Sequence, residues 1–268
     1  MTASNAYLYD HVTRDVLMSD MSFSEDAPRP GERMPQFDLP LADGGRIDAR
    51  DFHGRKPLLL ATGSLSCPMT ASSNPILKEM HREFGHDVDF VMLMVREAHP
   101  GEDLEQPRSL EERRRHALAL RDRDDLPFPL AIDDMDGSVH RAFDCKPNAV
   151  WVTDAGGTII YRALWVGDDA GLEQALDAAV RGVLPSEQDS NRRLAPMAMG
   201  IGAMGEMTGK SGARAKRDLW RAAPPMAAIA TVADLYRPLP PKWRTVAAVG
   251  TIALAVAAML KAASSRRV

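Results

Sequence analysis

Hydrophobic and polar positions follow three rhythms along this chain. Short alternating stretches around Phe37 and Ile47 flank the turn signal Asp43-Gly44-Gly45 and predict a β-hairpin. Unbroken apolar runs at Leu58–Thr62 and Val88–Val95 predict strands buried on both faces. Between them, residues 68–84 place Ile76, Leu77, Met80 and Phe84 at helical spacing, with Pro75 marking a kink. Leu110–Leu120 reads as a charged helix with Arg113, Arg114 and Arg115 on its solvated face. A strand follows at Phe128–Ile132, then a short helix at Met135–Phe143. Next comes a hairpin, residues 148–153 and 158–163 around Asp154-Ala155-Gly156-Gly157. An amphipathic helix, Asp168–Leu184, closes the series.

The predicted order is β-β-β-α-β-α-β-α-β-β-α. Strand–helix–strand alternation builds a parallel portion and the terminal hairpin adds antiparallel strands. That is the α/β plan of a thioredoxin-like fold: a mixed central sheet flanked by helices, with an N-terminal β-hairpin. It divides the chain into a polar, loosely packed N-terminal extension (1–33), a thioredoxin-like domain (34–184), a basic Pro/Gly/Ala/Met-rich linker (185–241) with one helix around Ala227–Leu235, and a C-terminal hydrophobic helix (242–263).

Charge sharpens this division. Residues 1–184 carry 20 Lys and Arg against 32 Asp and Glu, whereas residues 185–268 carry 13 against 5. The acidic body has no electrostatic footprint for nucleic acid, and the basic tail suits an anionic surface. Thr245–Leu260 holds no charge and is bracketed by Lys242, Arg244 and Lys261. As a helix this stretch spans about 24 Å, against a hydrocarbon core of roughly 30 Å. Its Ala-rich composition leaves two readings, a single-pass C-terminal membrane anchor or a helix buried against the body or a partner. Met1–Asp20 has no basic region leading into an apolar stretch, so no signal peptide is expected and the body is expected in the cytoplasm. Two cysteines do not make a disulfide framework.

Cys67 stands where a buried strand ends and a helix begins, in Gly63-Ser64-Leu65-Ser66-Cys67-Pro68. The unpaired N–H groups and dipole of a helix start favour thiolate over thiol, and Pro68 suits a first helical position. The alternative is a buried structural cysteine; the strand-to-helix placement and small polar neighbours favour the reactive thiol. Cys67-Pro68-Met69-Thr70 is not Cys-x-x-Cys, so no local dithiol forms. The proline expected seven residues before a peroxiredoxin cysteine is replaced by Leu60, although Ser64 matches that signature's hydroxyl. Glu97 and His99 follow the neighbouring parallel strand and so reach the same sheet edge. There His99 could give a proton or stabilise the thiolate, with Glu97 orienting it; the alternative is two ordinary loop residues. Cys145 is either a resolving thiol for oxidised Cys67 or a small buried apolar residue. His53, His81, His86, His116 and His140 have no metal-ligand spacing, so no metal is expected.

Gly-Ser-x-x-Cys-Pro after an apolar strand, then Arg96-Glu97-Ala98-His99-Pro100 after the next, resembles the iodothyronine deiodinase family and its bacterial homologues over about residues 34–184. Ile132–Ser138 and Pro147 before a strand fit as well. The resemblance implies a redox-active Cys67 where the family carries selenocysteine or cysteine, a Glu-Ala-His motif at Glu97, Ala98 and His99, and Pro147 as the cis-proline of thioredoxin folds beside the thiol. Ser64, Ser66, Pro68 and Pro147 would support the site. Two positions depart from the family: Leu65 stands where the animal enzymes often have cysteine, and Gly101-Glu102-Asp103-Leu104 replaces Asp-Gly-Trp, so residues to grip an iodothyronine are not evident. The implied activity is a thiol-dependent oxidoreductase in which the Cys67 thiolate attacks a halogen or peroxide electrophile and His99 supplies a proton. A peroxiredoxin-like hydroperoxide reductase is the alternative within the fold, and a non-catalytic membrane-tethered scaffold the alternative outside it. Expected partners are a small-molecule electrophile, an external thiol reductant of the thioredoxin or glutathione type, and the membrane through the tail, with no cofactor or nucleic acid and a homodimer left open.

Overall fold

The computed structural model describes residues 7–167, 169–190 and 192–265. Its centre is a six-stranded sheet of β3 (Leu58–Gly63), β4 (Asp89–Met94), β5 (Leu130–Ile132), β6 (Val150–Thr153), β7 (Ile159–Ala163) and β8 (Asp189–Ser190), in the order β5-β4-β3-β6-β7-β8. β3, β4 and β5 run parallel, and β6 and β7 enter antiparallel as the predicted hairpin. The N-terminal hairpin, β1 (Asp38–Pro40) and β2 (Arg46–Asp48), forms its own two-stranded sheet. The fold is thioredoxin-like.

Period-two alternation with both faces covered explains why β3 and β4 are apolar at nearly every position, Thr62 and Asp89 being the polar exceptions. Leu59, Ala61, Phe90, Met92 and Met94 face one core cluster, covered by α2 (Pro68–Phe84), α3 (Leu110–Asp124) and α5 (Asp169–Val180). Leu58, Leu60, Val91 and Leu93 face the other, filled by the hairpin residues Leu39 and Ile47 with Phe143 and Trp151 beside α4 (Ser138–Ala142). Position 168, the predicted start of the closing helix, lies outside the described residues.

Three expectations change. Arg113 is fully buried rather than solvated; its guanidinium donates to the carbonyls of Asp133 and Asp134, which only the fold brings within reach. From Tyr7 onward the N-terminal extension is a packed strap. Its α1 (Arg14–Ser19) is capped by Thr13. Tyr7 and Tyr9 lie under the Arg96 guanidinium at 5.1 and 4.9 Å, and the Tyr9 hydroxyl donates to the Ala98 carbonyl at 3.1 Å. The supposed linker holds three helices, α6 (Leu194–Ser211), α7 (Ala213–Ala222) and α8 (Pro224–Ala233). Small residues that looked like spacers instead permit close helix approach: a side chain on Gly200 would collide with the Met69 sulfur, and one on Gly202 with the Pro241 carbonyl. These helices form a cap on the body, and α9 (Pro241–Ser265) leaves from it.

Candidate active site

Cys67 is the N-cap of α2, with φ −77° and ψ 119°, and its Sγ accepts from the Thr70 N–H at 3.5 Å; Pro68 opens the helix. The local arrangement is the one the sequence predicts. The electrostatics are not. Cys67 is 1% exposed, and burial pushes its thiol up to about 11, against the lowering pull of the Thr70 and Met69 donors. Desolvation wins because strap and cap close over the helix start. The closed site therefore holds a neutral thiol at neutral pH.

The loop before Cys67 is pinned to the loop after β4. The Ser64 hydroxyl accepts from the Ala98 N–H at 3.3 Å, and the Ser66 hydroxyl from the His99 N–H at 3.0 Å. Glu97, 1% exposed, accepts from the Ser66 N–H at 2.7 Å and meets His116 Nδ1 at 2.9 Å with its other oxygen. Gln106 brackets the Glu97 backbone, accepting from its N–H at 2.9 Å and donating to its carbonyl at 2.8 Å. Glu97 is thus a positioning residue for the Cys67 loop, and its carboxylate engages Ser66 and His116 rather than orienting His99. His116, one helical turn after Glu112 on α3, carries no sequence signal for this role.

His99 is 5% exposed, and its Nδ1 is buried with no hydrogen-bond partner. Burial lowers its pKa to about 4, so the imidazole is neutral at pH 7. Cys67 and His99 share a cavity of about 120 Å³. From the strap, Leu17 and Asp20 line it; from the body, Met69, Pro147 and Trp165; from the cap, Met197, Ile201, Met204 and Met226. Asp20 and the cap residues are the part of the site that sequence reasoning missed. Asp20 is pushed up to about 6, chiefly by burial and against the attraction of Arg96 and Lys146. A cluster of methionines in a supposed linker was the one available hint of packing.

The Lys146–Pro147 bond is trans, which corrects the cis-proline expectation; Pro147 still borders the cavity beside the thiol. Cys145 is free and partly buried, in a left-handed backbone conformation (φ 55°). It is not among the residues lining the cavity; burial raises its thiol pKa, while Arg96 and Arg141 draw it down. The segment Gly101–Leu104, where the family motif is missing, docks the cap. Glu102 accepts from the Ala213 and Arg214 N–H groups at the start of α7, at 2.8 and 2.7 Å, and the Asp103 N–H donates to the Ser211 carbonyl at 3.0 Å.

Solved structures resemble the chain at low identity. A hypothetical protein from Sinorhizobium meliloti 1021 is 19% identical, covering 63% of this chain and 95% of its own, with a TM-score of 0.49. A putative thiol:disulfide interchange protein DsbE from Chlorobium tepidum is 19% identical over 57% of this chain and 99% of its own, TM-score 0.45. Peroxidoxin BcpB from Mycobacterium tuberculosis is 15% identical over 58% and 98%, TM-score 0.44. A family model described as iodothyronine deiodinase matches residues 5–170, which takes in the strap as well as the thiol loop and the Glu-Ala-His segment. The chain belongs to the iodothyronine deiodinase family.

Proposed function

We propose that the protein is a thiol-dependent oxidoreductase in which Cys67 attacks an electrophilic halogen or peroxide oxygen. The observation that supports this most is the Cys67 thiol capping α2 inside a cavity it shares with His99, whose buried Nδ1 is left without a partner. In a closed protein an unpaired buried ring nitrogen is costly, so its natural occupant is a polar substrate atom.

The thiol carries its own proton into the reaction. As the sulfur attacks, that proton passes to the leaving oxygen or to the carbon that loses halogen. The products are a Cys67 sulfenic acid and an alcohol, or a sulfenyl halide and the dehalogenated compound. An external thiol of the thioredoxin or glutathione type then forms a mixed disulfide with Cys67, releasing water or halide with its proton. A second such thiol restores Cys67 and leaves as a disulfide. His99 hydrogen-bonds the electrophile in its neutral form, and Asp20 is the nearby acid able to exchange a proton close to neutrality.

The hydroperoxide reading draws support from the cavity, which is lined by no cation to hold an anionic substrate group. We further propose that α9 anchors the protein in a bilayer, with the body on the reducing cytoplasmic side where both free cysteines stay thiols. The helix is long and apolar enough to cross, over Pro241–Ser264, and only 6% of its most apolar window is buried. The test is Cys67→Ser in the full chain, assayed for iodide release from an iodophenol and for peroxide consumption with a dithiol reductant. Loss of either activity supports the reading; unchanged turnover, or no activity in the unmodified protein, overturns it.

A further inference from the structure

The cap does two things with one helix. Met197, Gly200, Ile201 and Met204 on α6 roof the cavity, while Ala198, Gly202 and Glu206 on the same helix hold α9. The Thr245 hydroxyl donates to the Ala198 carbonyl at 2.6 Å, Gly202 lets the Pro241 carbonyl approach, and Arg244 reaches Glu206 at 3.1 Å. Pro241 beside Gly202 and Thr245 beside Ala198 mean that α9 runs antiparallel to α6. Its continuation passes the start of α6, where Leu194 is 86% exposed.

The length of the apolar stretch fixes the level of the membrane. Thr245–Leu260 is charge-free and spans about 24 Å, already less than a hydrocarbon core of roughly 30 Å. Thr245 and Ala248 are buried against the cap, so the cap meets the membrane surface where the apolar stretch begins. Exposed Trp243 and Val246 fit that boundary. Thr245 touches Ala198, the residue after the cavity-lining Met197.

The cavity matches this position. Besides Asp20, Cys67 and His99 its lining is apolar, dominated by methionines and Trp165. At about 120 Å³ it is close in scale to engineered cavities that take one benzene. That is room for a peroxide group and the carbons next to it.

Resting on the reading of Cys67 as the redox thiol, we propose that its electrophile is a lipid-borne fatty-acyl hydroperoxide, taken from the bilayer that α9 enters. The Cys67 sulfur takes the terminal peroxide oxygen and is oxidised to sulfenic acid; the O–O bond breaks, and the lipid alkoxide takes the thiol proton and leaves as the alcohol. A low-molecular-weight or protein dithiol supplies the two electrons that restore the thiol.

The test uses the full chain reconstituted in phosphatidylcholine vesicles doped with a fatty-acyl hydroperoxide, compared with equal hydrogen peroxide. Cys67 sulfenic acid is trapped with a dimedone probe and measured by mass spectrometry. The expected result is labelling by the vesicle-borne hydroperoxide at least about tenfold faster than by hydrogen peroxide, since partitioning concentrates the lipid at the site. In L254K, which weakens insertion, that advantage should vanish while labelling by hydrogen peroxide is retained. Equal rates with the two oxidants, or an advantage that survives L254K, overturn the lipid source and leave the thiol reading standing. Iodide release from a vesicle-dissolved iodophenol without peroxide labelling overturns the hydroperoxide class alone. No reaction of Cys67 with any of the three overturns the thiol reading itself.

Discussion

Cys67 sits under two opposed effects: a helix start that favours thiolate and a closed cavity that favours thiol. Burial wins, so alkylation of the full chain by iodoacetamide should be slow at pH 7–8. Its pH profile should have a midpoint well above the ordinary cysteine value of about 8.5; a midpoint at or below that value would show the cap to be open. Asp20 yields a second expectation. Its folded pKa of about 6 stands above the ordinary 3.8. The stability it contributes is therefore full below pH 3.8 and is lost as pH rises through 6. Asp20→Asn removes that loss. The variant should be more stable than the parent at pH 7, by on the order of 1–3 kcal/mol in denaturant titration, with the difference fading toward pH 4. His99 works in the opposite sense. Its lowered folded pKa means stability that is present above 6.5 and lost as pH falls through about 4. The choice of Cys67 was legible from sequence because helix-start chemistry is local. Asp20 was not, since no pattern in residues 14–20 reveals that they fold over a thiol 47 positions on.

Among the elements, α6 is the one whose role the sequence least revealed. Pro, Gly, Met and Ala together resemble spacer composition, yet glycine at 200 and 202 is what lets this helix lie against Met69 and Pro241. Gly202→Ala places a Cβ against backbone at the α6–α9 junction, where no side chain can yield. It should cost about 1–3 kcal/mol in thermal or denaturant unfolding, and by loosening the roof it should speed iodoacetamide labelling of Cys67. Unchanged labelling in a destabilised variant would mean that the roof does not depend on α9. The body's strands were legible because a sheet covered on both faces favours long apolar runs, as β3 and β4 show. Arg113 was misread for the converse reason. Helical charge normally faces water, and the carbonyls of Asp133 and Asp134 with the Tyr7 ring make its burial tolerable.

At the scale of the whole molecule, strap, body and cap enclose one site. From Val249 outward α9 meets almost none of them, and Leu254, Met259 and Leu260 are exposed. So much unpartnered apolar surface is characteristic of an interaction site. In flotation assays with phosphatidylcholine vesicles the full chain should rise with the lipid. Leu254→Lys should shift it toward the soluble fraction, since a lysine at mid-span costs about 2.5–3.5 kcal/mol. If the unaltered chain stays at the bottom of the gradient, α9 is covered by protein instead.

By itself the sequence determined the thioredoxin-like body, the cysteine at the start of α2, the Glu-Ala-His segment on the same sheet edge and the apolar C-terminal helix. The strands, the helix start and the apolar helix follow from periodicity or spacing over a few adjacent residues, and the Glu-Ala-His motif from the family resemblance. Only the tertiary structure decided that Leu17 and Asp20 of the N-terminal strap and the helices of the supposed linker are walls of the site, that Glu97 grips the Cys67 loop, and that the thiol and His99 are both neutral. The physical reason is desolvation. A helix start or a histidine has its ordinary chemistry written locally, but the water removed from it is removed by residues distant in sequence, here Asp20 on one side and Met197 and Met204 on the other.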